Sequence, residues 1–294
     1  MFTPPISTDA ASNLDPRMGT FCWWDLDNSQ VTPDHLRAVL ASEGLTEIKV
    51  PDIEPISALR KAAANWATGR GNADRYRAEV TAVDGPHVYI GLLQHQREGA
   101  REVAWKQVET LVYDTQAGTW LNQYPTDTAQ GFMKVANEFL LYLDHRYLRP
   151  SVLVPQLEEA QAISLRRQGG IYFAPITHLD TVQRLRRIVN QLGGCRFFLC
   201  TVQNDAESRD GIGAGVQDHV LGQLLGVQEQ LEEWKASTRK IRTDSQANVL
   251  GELASLLSLA DLYEKTLEVS LGDLRGKVRE CQDAAMKILA GQPA

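Results

Sequence analysis

Apolar residues in the first 18 positions follow no period. Pro, Ser, Thr, Asp and Asn dominate there, which predicts an irregular tail. From Gly19 the run TFCWWDL predicts a strand. Thr32-Pro33-Asp34 then opens a helix: Thr serves as cap, Pro fits the first turn and Asp sits at the positive end of the dipole. Leu36, Val39 and Leu40 form its apolar side and Gly44 closes it. TEIKV predicts a further strand. Pro55 opens a helix with Ile56, Leu59, Ala63 and Trp66 on one side. The period then falls to two. RYRAEVTAV, HVYIGLLQHQ, REVAWKQVETLVYD and GTWLNQYP are β-type runs, separated by Asp84-Gly85-Pro86, Glu98-Gly99 and Ala117-Gly118. They predict an antiparallel meander with one face packed on helices and the other partly wet.

Helical spacing returns at Asp127, where Phe132, Val135, Ala136, Phe139, Leu140 and Leu143 share a face up to His145. A helix from Pro155 to Arg167, the strand IYFAP, a helix from Leu179 to Leu192 and the strand CRFFLCTV follow. This strand–helix–strand order suits two parallel neighbours in one sheet, and the WW-helix-EIKV segment repeats the order. QNDAESRDGIGAG predicts a polar, Gly-rich hinge before a helix from Val216 to Ile241, whose apolar face is Val220, Leu221, Leu224, Leu225, Val227 and Leu231.

The strongest pattern comes last. Steps of 3 and 4 from Leu250 meet Leu253, Leu257, Ala260, Glu264, Leu267, Leu271, Leu274, Val278, Cys281, Ala285 and Ile288, of which Glu264 alone is charged. Such a seam predicts one coiled-coil helix of about 60 Å. The preceding helix, about 26 residues long, can cover only part of that seam. The remainder is expected to meet a second chain or the domain itself, with a homo-oligomer or protein partner preferred. The whole pattern predicts an α+β fold: an antiparallel β-meander with strand–helix–strand units, followed by a long C-terminal α-helical coiled-coil hairpin. The expected divisions are a tail at 1–18, an α+β domain at 19–205 and the helical hairpin at 206–294.

Composition narrows the function classes. Against 30 Lys and Arg stand 37 Asp and Glu, a net charge of -7, which argues against a surface built throughout for phosphate and leaves room for a local basic patch. No apolar run is long enough to span a membrane. MFTPPISTDAASNLDPRMG has neither the basic start nor the apolar core of a secretory signal. Cys22, Cys195, Cys200 and Cys281 form no C-x-x-C pair, so reduced thiols in a cytoplasmic chain are expected.

Candidate chemistry is sparse. Asp25-Leu26-Asp27-Asn28-Ser29, following FCWW, resembles the first motif of haloacid-dehalogenase-type phosphatases. There the first Asp attacks phosphorus, the other handles the leaving-group proton and Mg²⁺ offsets charge. The later Lys and acidic strand-end pair of that family have no counterpart beyond Val202, so a polar turn is the preferred reading of Asp25 and Asp27. Gly211-Ile212-Gly213-Ala214-Gly215 precedes a helix, but no Lys-Ser/Thr follows to complete a phosphate cradle. His35, His87, His95, His145, His178 and His219 show no metal-binding spacing; neither a metal nor a cofactor is expected. Arg166, Arg167, Arg184, Arg186 and Arg187 form one basic group; Lys235, Arg239, Lys240 and Arg242 form another. Both read first as helix-end charges and only then as phosphate contacts. Trp23, Trp24, Trp66, Trp105 and Trp120 read as core and sheet-face residues.

FCWWDLDNSQVTPDHLRAVLASEGL, PDIEPISALRKAA, YLDHRY and GGIYFAP together resemble an uncharacterised family of phage and bacterial proteins, a domain of unknown function with long C-terminal helices. The resemblance spans residues 20 to 202 and implies no activity or cofactor, but suggests phage or mobile-element biology. The function expected is a non-enzymatic interaction or scaffolding protein that self-associates or docks a partner through its C-terminal helices. The alternatives are a Mg²⁺-dependent phosphatase or nuclease using Asp25 and Asp27, and a nucleic-acid-associated accessory factor using the basic groups.

Overall fold

The computed structural model describes residues 16–27, 29–68, 75–98, 101–143, 145–166, 170–237, 241–271 and 273–290. The strands are β1 (Arg17–Asp25), β2 (Tyr76–Asp84), β3 (His87–Glu98), β4 (Arg101–Asp114), β5 (Thr119–Trp120), β6 (Ile163–Ser164), β7 (Tyr172–Pro175) and β8 (Arg196–Gln203). The helices are α1 (Pro33–Ser42), α2 (Pro55–Thr68), α3 (Asp127–Leu141), α4 (His145–Leu148), α5 (Val154–Glu159), α6 (Leu179–Gln191), α7 (Ala206–Ala236), α8 (Thr243–Leu267) and α9 (Leu274–Ala290). The chain is therefore α+β. Residues 1–15 of the expected tail lie outside the described residues, and β1 begins at Arg17, ahead of the expected Gly19.

The strands form two sheets, ordered β6-β7-β1-β8 and β2-β3-β4-β5. The chain divides into two compact units that interleave along the sequence. Of the described residues, one holds those up to Trp24, those of Val154–Arg186 and those from Phe197 onward; the other holds those of Asp25–Leu153 and Arg187–Arg196.

The latter unit contains the expected meander. β2, β3 and β4 pair antiparallel in sequence order and β5 closes the edge. Alternation sends Ala78, Val88, Ile90, Leu92, Leu111 and Tyr113 to one face, where Leu59, Ala62 and Trp66 of α2 and Ala129, Phe132 and Ala136 of α3 complete a core. The helix starts obey their sequence signals. Thr32 accepts from the His35 backbone N–H at α1, and Thr126 accepts from Ala129 N–H at α3. TEIKV, expected as a strand, is not one. The carbonyls of Lys49 and Val50 accept side-chain hydrogen bonds, from the Tyr147 hydroxyl and the Arg37 guanidinium.

In the first unit β1 is an inner strand. It pairs antiparallel with β7, from Gly19 opposite Pro175 to Cys22 opposite Tyr172, and β8 flanks its other side. β1 thus separates the two strands that were expected to be neighbours. Gly19 is required there: a Cβ would stand 2.3 Å from the Ala174 carbonyl oxygen and 2.5 Å from the Phe173 ring. α5 stops at Glu159, short of the expected Arg167, because Gln161 takes a left-handed φ of 48° and the chain turns into β6.

Beyond β8 the segment expected as a hinge is helical. Asp205 caps α7 by accepting from Ser208 N–H at 2.8 Å, and Gly211, Gly213 and Gly215 lie inside the helix. Gly215 allows close packing, since a Cβ there would stand 2.7 Å from Leu165; at Gly213 a Cβ would make only an ordinary contact, 3.9 Å from Leu267. The seam expected on one long helix is divided between two. α8 ends at Leu267, Glu268 adopts a left-handed φ of 53°, and α9 starts at Leu274. α7, α8 and α9 each pack on the other two, so the C-terminal region is a three-helix assembly in place of the expected hairpin.

Candidate functional site

Glu264 explains the division of the seam. Its carboxylate accepts from Leu271 N–H at 2.9 Å and from the Arg275 guanidinium at 2.6 Å, while Asp261 holds the same Arg275 at 2.6 Å. The one charged seam position therefore fastens the connection between α8 and α9. Around it, Val249, Leu253, Leu256, Ala260, Tyr263 and Leu267 are the buried stripe of α8, one register away from the Leu250–Leu257 row at its first turns. Of the seam residues, Leu253, Leu267, Leu271, Leu274 and Val278 are buried, while Leu250, Leu257 and Ile288 are partly buried against the same cluster. These side chains meet Ile212, Val216, Val220, Leu224, Val227 and Leu231 of α7. The chain's own helices occupy the ridge that was expected to need a partner.

The wider apolar face expected for α7 is split in two. Val220, Leu224, Val227 and Leu231 point inward, but Leu225 is 57% exposed and Leu221 only partly covered. Leu221, Leu224, Leu225 and Leu231, with Cys281 and Ala284 of α9, line a groove of about 560 Å³. Glu232, Lys235, Lys277 and Glu280 also line it. The signal for this groove was present in the sequence, because Leu221 and Leu225 widen the apolar stripe of α7 beyond what one neighbouring helix can bury.

Asp25 and Asp27 stand exposed where β1 ends, and Asp25 Oδ1 accepts from Asp27 N–H at 3.1 Å. This is the geometry of a polar turn. β1 has an antiparallel neighbour in β7. Among the described residues no group of three or more His, Cys, Asp or Glu side chains is arranged to hold a metal ion. Cys195 is buried; burial pushes its thiol up to about 11, and the Asp25 charge adds to the shift.

Two of the basic candidates are engaged by groups of their own chain. Arg184 donates to Gln156 at 2.8 Å and Glu159 at 3.2 Å, and Arg187 donates to both Glu43 oxygens at 2.8 and 3.1 Å. Arg166, Arg186 and Arg242 are exposed, and Arg167, Arg239 and Lys240 lie outside the described residues.

Another surface was not singled out in the sequence. On the face of the meander opposite α2 and α3, His95 pairs with Trp105 across β3 and β4, their ring centroids 5.1 Å apart. The Arg77 guanidinium on β2 lies 4.3 Å from the same indole centroid. Only the strand pairing brings these three together.

These features define an α+β protein of two compact units, with a helical assembly grooved on one side and a half-open antiparallel sheet. Residues 17–293 match a family of unknown function (DUF6744), and the chain belongs to it. No curated protein and no solved structure matches the chain. No helix among the described residues is long and apolar enough to cross a membrane.

Proposed function

We propose that this protein is a non-catalytic interaction protein that self-associates through the α7–α9 groove. The observation that carries the reading is Leu225, more than half exposed on a helix whose remaining leucines are largely covered. The charges beside it favour a second copy as occupant. Two lysines and two glutamates line the groove, so a region of zero formal charge lies on a chain of net charge -7. Like copies repel except where such a balanced patch meets its own image, Lys235 and Lys277 of one opposite Glu232 and Glu280 of the other. Such a scaffold suits the phage or mobile-element setting that the sequence motifs suggest.

Light scattering coupled to size exclusion tests the reading on the full chain. The expected mass at micromolar concentration is twice that of the chain, falling to one chain for Leu225→Glu with an unchanged circular dichroism spectrum. A wild-type monomer overturns the reading, as does a Leu225→Glu dimer.

A further inference from the structure

The exposed face of the meander combines aromatic and cationic groups in a way the interaction reading does not use. α2 and α3 cover the face of Ala78, Val88, Ile90, Leu92, Leu111 and Tyr113, whereas Arg77, Glu79, Thr81, Gln107 and Thr110 are exposed on the other. At the hairpin end of that open face, Trp105 and His95 are half-exposed with their rings in contact, and Arg77 reaches over the indole. Arg75 is also exposed on this part of the sheet, and Glu79 is the acidic neighbour on β2. Along this end of β2 two cations, Arg75 and Arg77, stand against one carboxylate, Glu79, in a chain whose net charge is -7.

We propose that the Arg77–His95–Trp105 face of the meander binds single-stranded nucleic acid, stacking a base on Trp105 and holding the adjoining phosphate with Arg77. Every base has a flat π face, and an indole on an open antiparallel sheet offers it a matching platform. The guanidinium lies over one face of that indole, so a base that stacks there displaces it and leaves the cation free to meet the nucleotide's phosphate. A duplex fits poorly, since its bases are stacked on one another and present no free face. β2 is the edge of its sheet among the described residues, so a strand carrying phosphates past Arg75 and Arg77 runs along an edge and not across a paired strand.

Fluorescence anisotropy of the full chain at low salt, with labelled oligothymidylate, oligouridylate and a duplex of equal length, tests this. Both single strands or one of them should bind, with the duplex about tenfold weaker or more. The stronger single strand identifies DNA or RNA as the source. Trp105→Ala should weaken binding by about tenfold, Trp105→Phe should retain most of it, and Arg77→Gln should weaken it while flattening its salt dependence. Arg77→Gln alters only an exposed side chain, so it decides the matter if Trp105→Ala fails to fold. Absence of binding by both single strands, preference for the duplex, or wild-type affinity in Arg77→Gln overturns the proposal.

Discussion

Tyr263 shows what a single side chain contributes to the first unit. Its ring is fully buried and lies 6.1 Å from that of Phe173, and its hydroxyl sits 2.9 Å from the Gln161 carbonyl and 3.2 Å from the Phe173 carbonyl. Burial pushes the phenol far above its ordinary range, so it is a permanent donor. Gln161 is one of two non-glycine residues described with positive φ, and the Tyr263 hydroxyl ties down its carbonyl. Tyr263→Phe keeps the packing and removes the donor. A loss of about 1–3 kcal/mol is expected in urea unfolding; an unchanged midpoint would show that the two carbonyls find other partners. Neither Tyr263 nor Gly19 was legible as special. In the sequence Tyr263 is a polar interruption beside the leucine row, and Gly19 has the form of an ordinary strand start. Their importance comes from atoms about 90 and 150 residues away, which no local pattern encodes.

Elements were legible wherever the signal is local. Thr32-Pro33-Asp34, the turn at Gly85 and the alternation through β2–β4 depend on neighbouring residues, and the structure follows them. The failures have a common cause. Gly211, Gly213 and Gly215 suggested a hinge because glycine lowers helix propensity, yet all three lie inside α7, and at Gly215 the close approach of Leu165 makes a small residue useful. TEIKV has strand composition but gives its carbonyls to side chains. The α8 seam continues in heptad spacing through the turn to α9, so periodicity could not reveal the turn; Glu264 was the visible irregularity. Asp205 offers a test at this scale. Its backbone hydrogen bond to Ser208 holds the carboxyl below its usual range. A depressed folded-state value means that the cap stabilises the fold above the unfolded-state value of about 4 and is lost as pH falls through the folded value. Asp205→Asn keeps an acceptor at the cap, so its melting temperature should fall less steeply with acid than that of wild type. Parallel acid profiles of the two proteins would remove Asp205 from the pH response.

For the whole molecule, chain order concealed the grouping. Segments distant in sequence share each unit, so composition shifts along the chain could not outline the two units. The cysteines sample both. Cys22 and Cys281 are buried in the first unit and Cys195 in the other, while Cys200 is exposed. Burial pushes the Cys22 thiol up to about 12 and raises Cys281 as well, which denies both the reactive thiolate at neutral pH. A chromogenic disulfide reagent should therefore label Cys200 at once in the native protein and the other three only as their surroundings open. Cys200→Ser should abolish the rapid phase. The slow phases then measure opening directly: β1, through Met18, and α9, through Cys281, belong to one contiguous cluster, and Cys22 lies four residues beyond Met18 on the same strand, so Cys22 and Cys281 should react at equal rates when that cluster opens as a body. Mass spectrometry of timed samples distinguishes the sites. Labelling of Cys281 well ahead of Cys22 would mean that α9 detaches on its own, in which case the α7–α9 groove is an intermittent surface and self-association should weaken with the same temperature dependence.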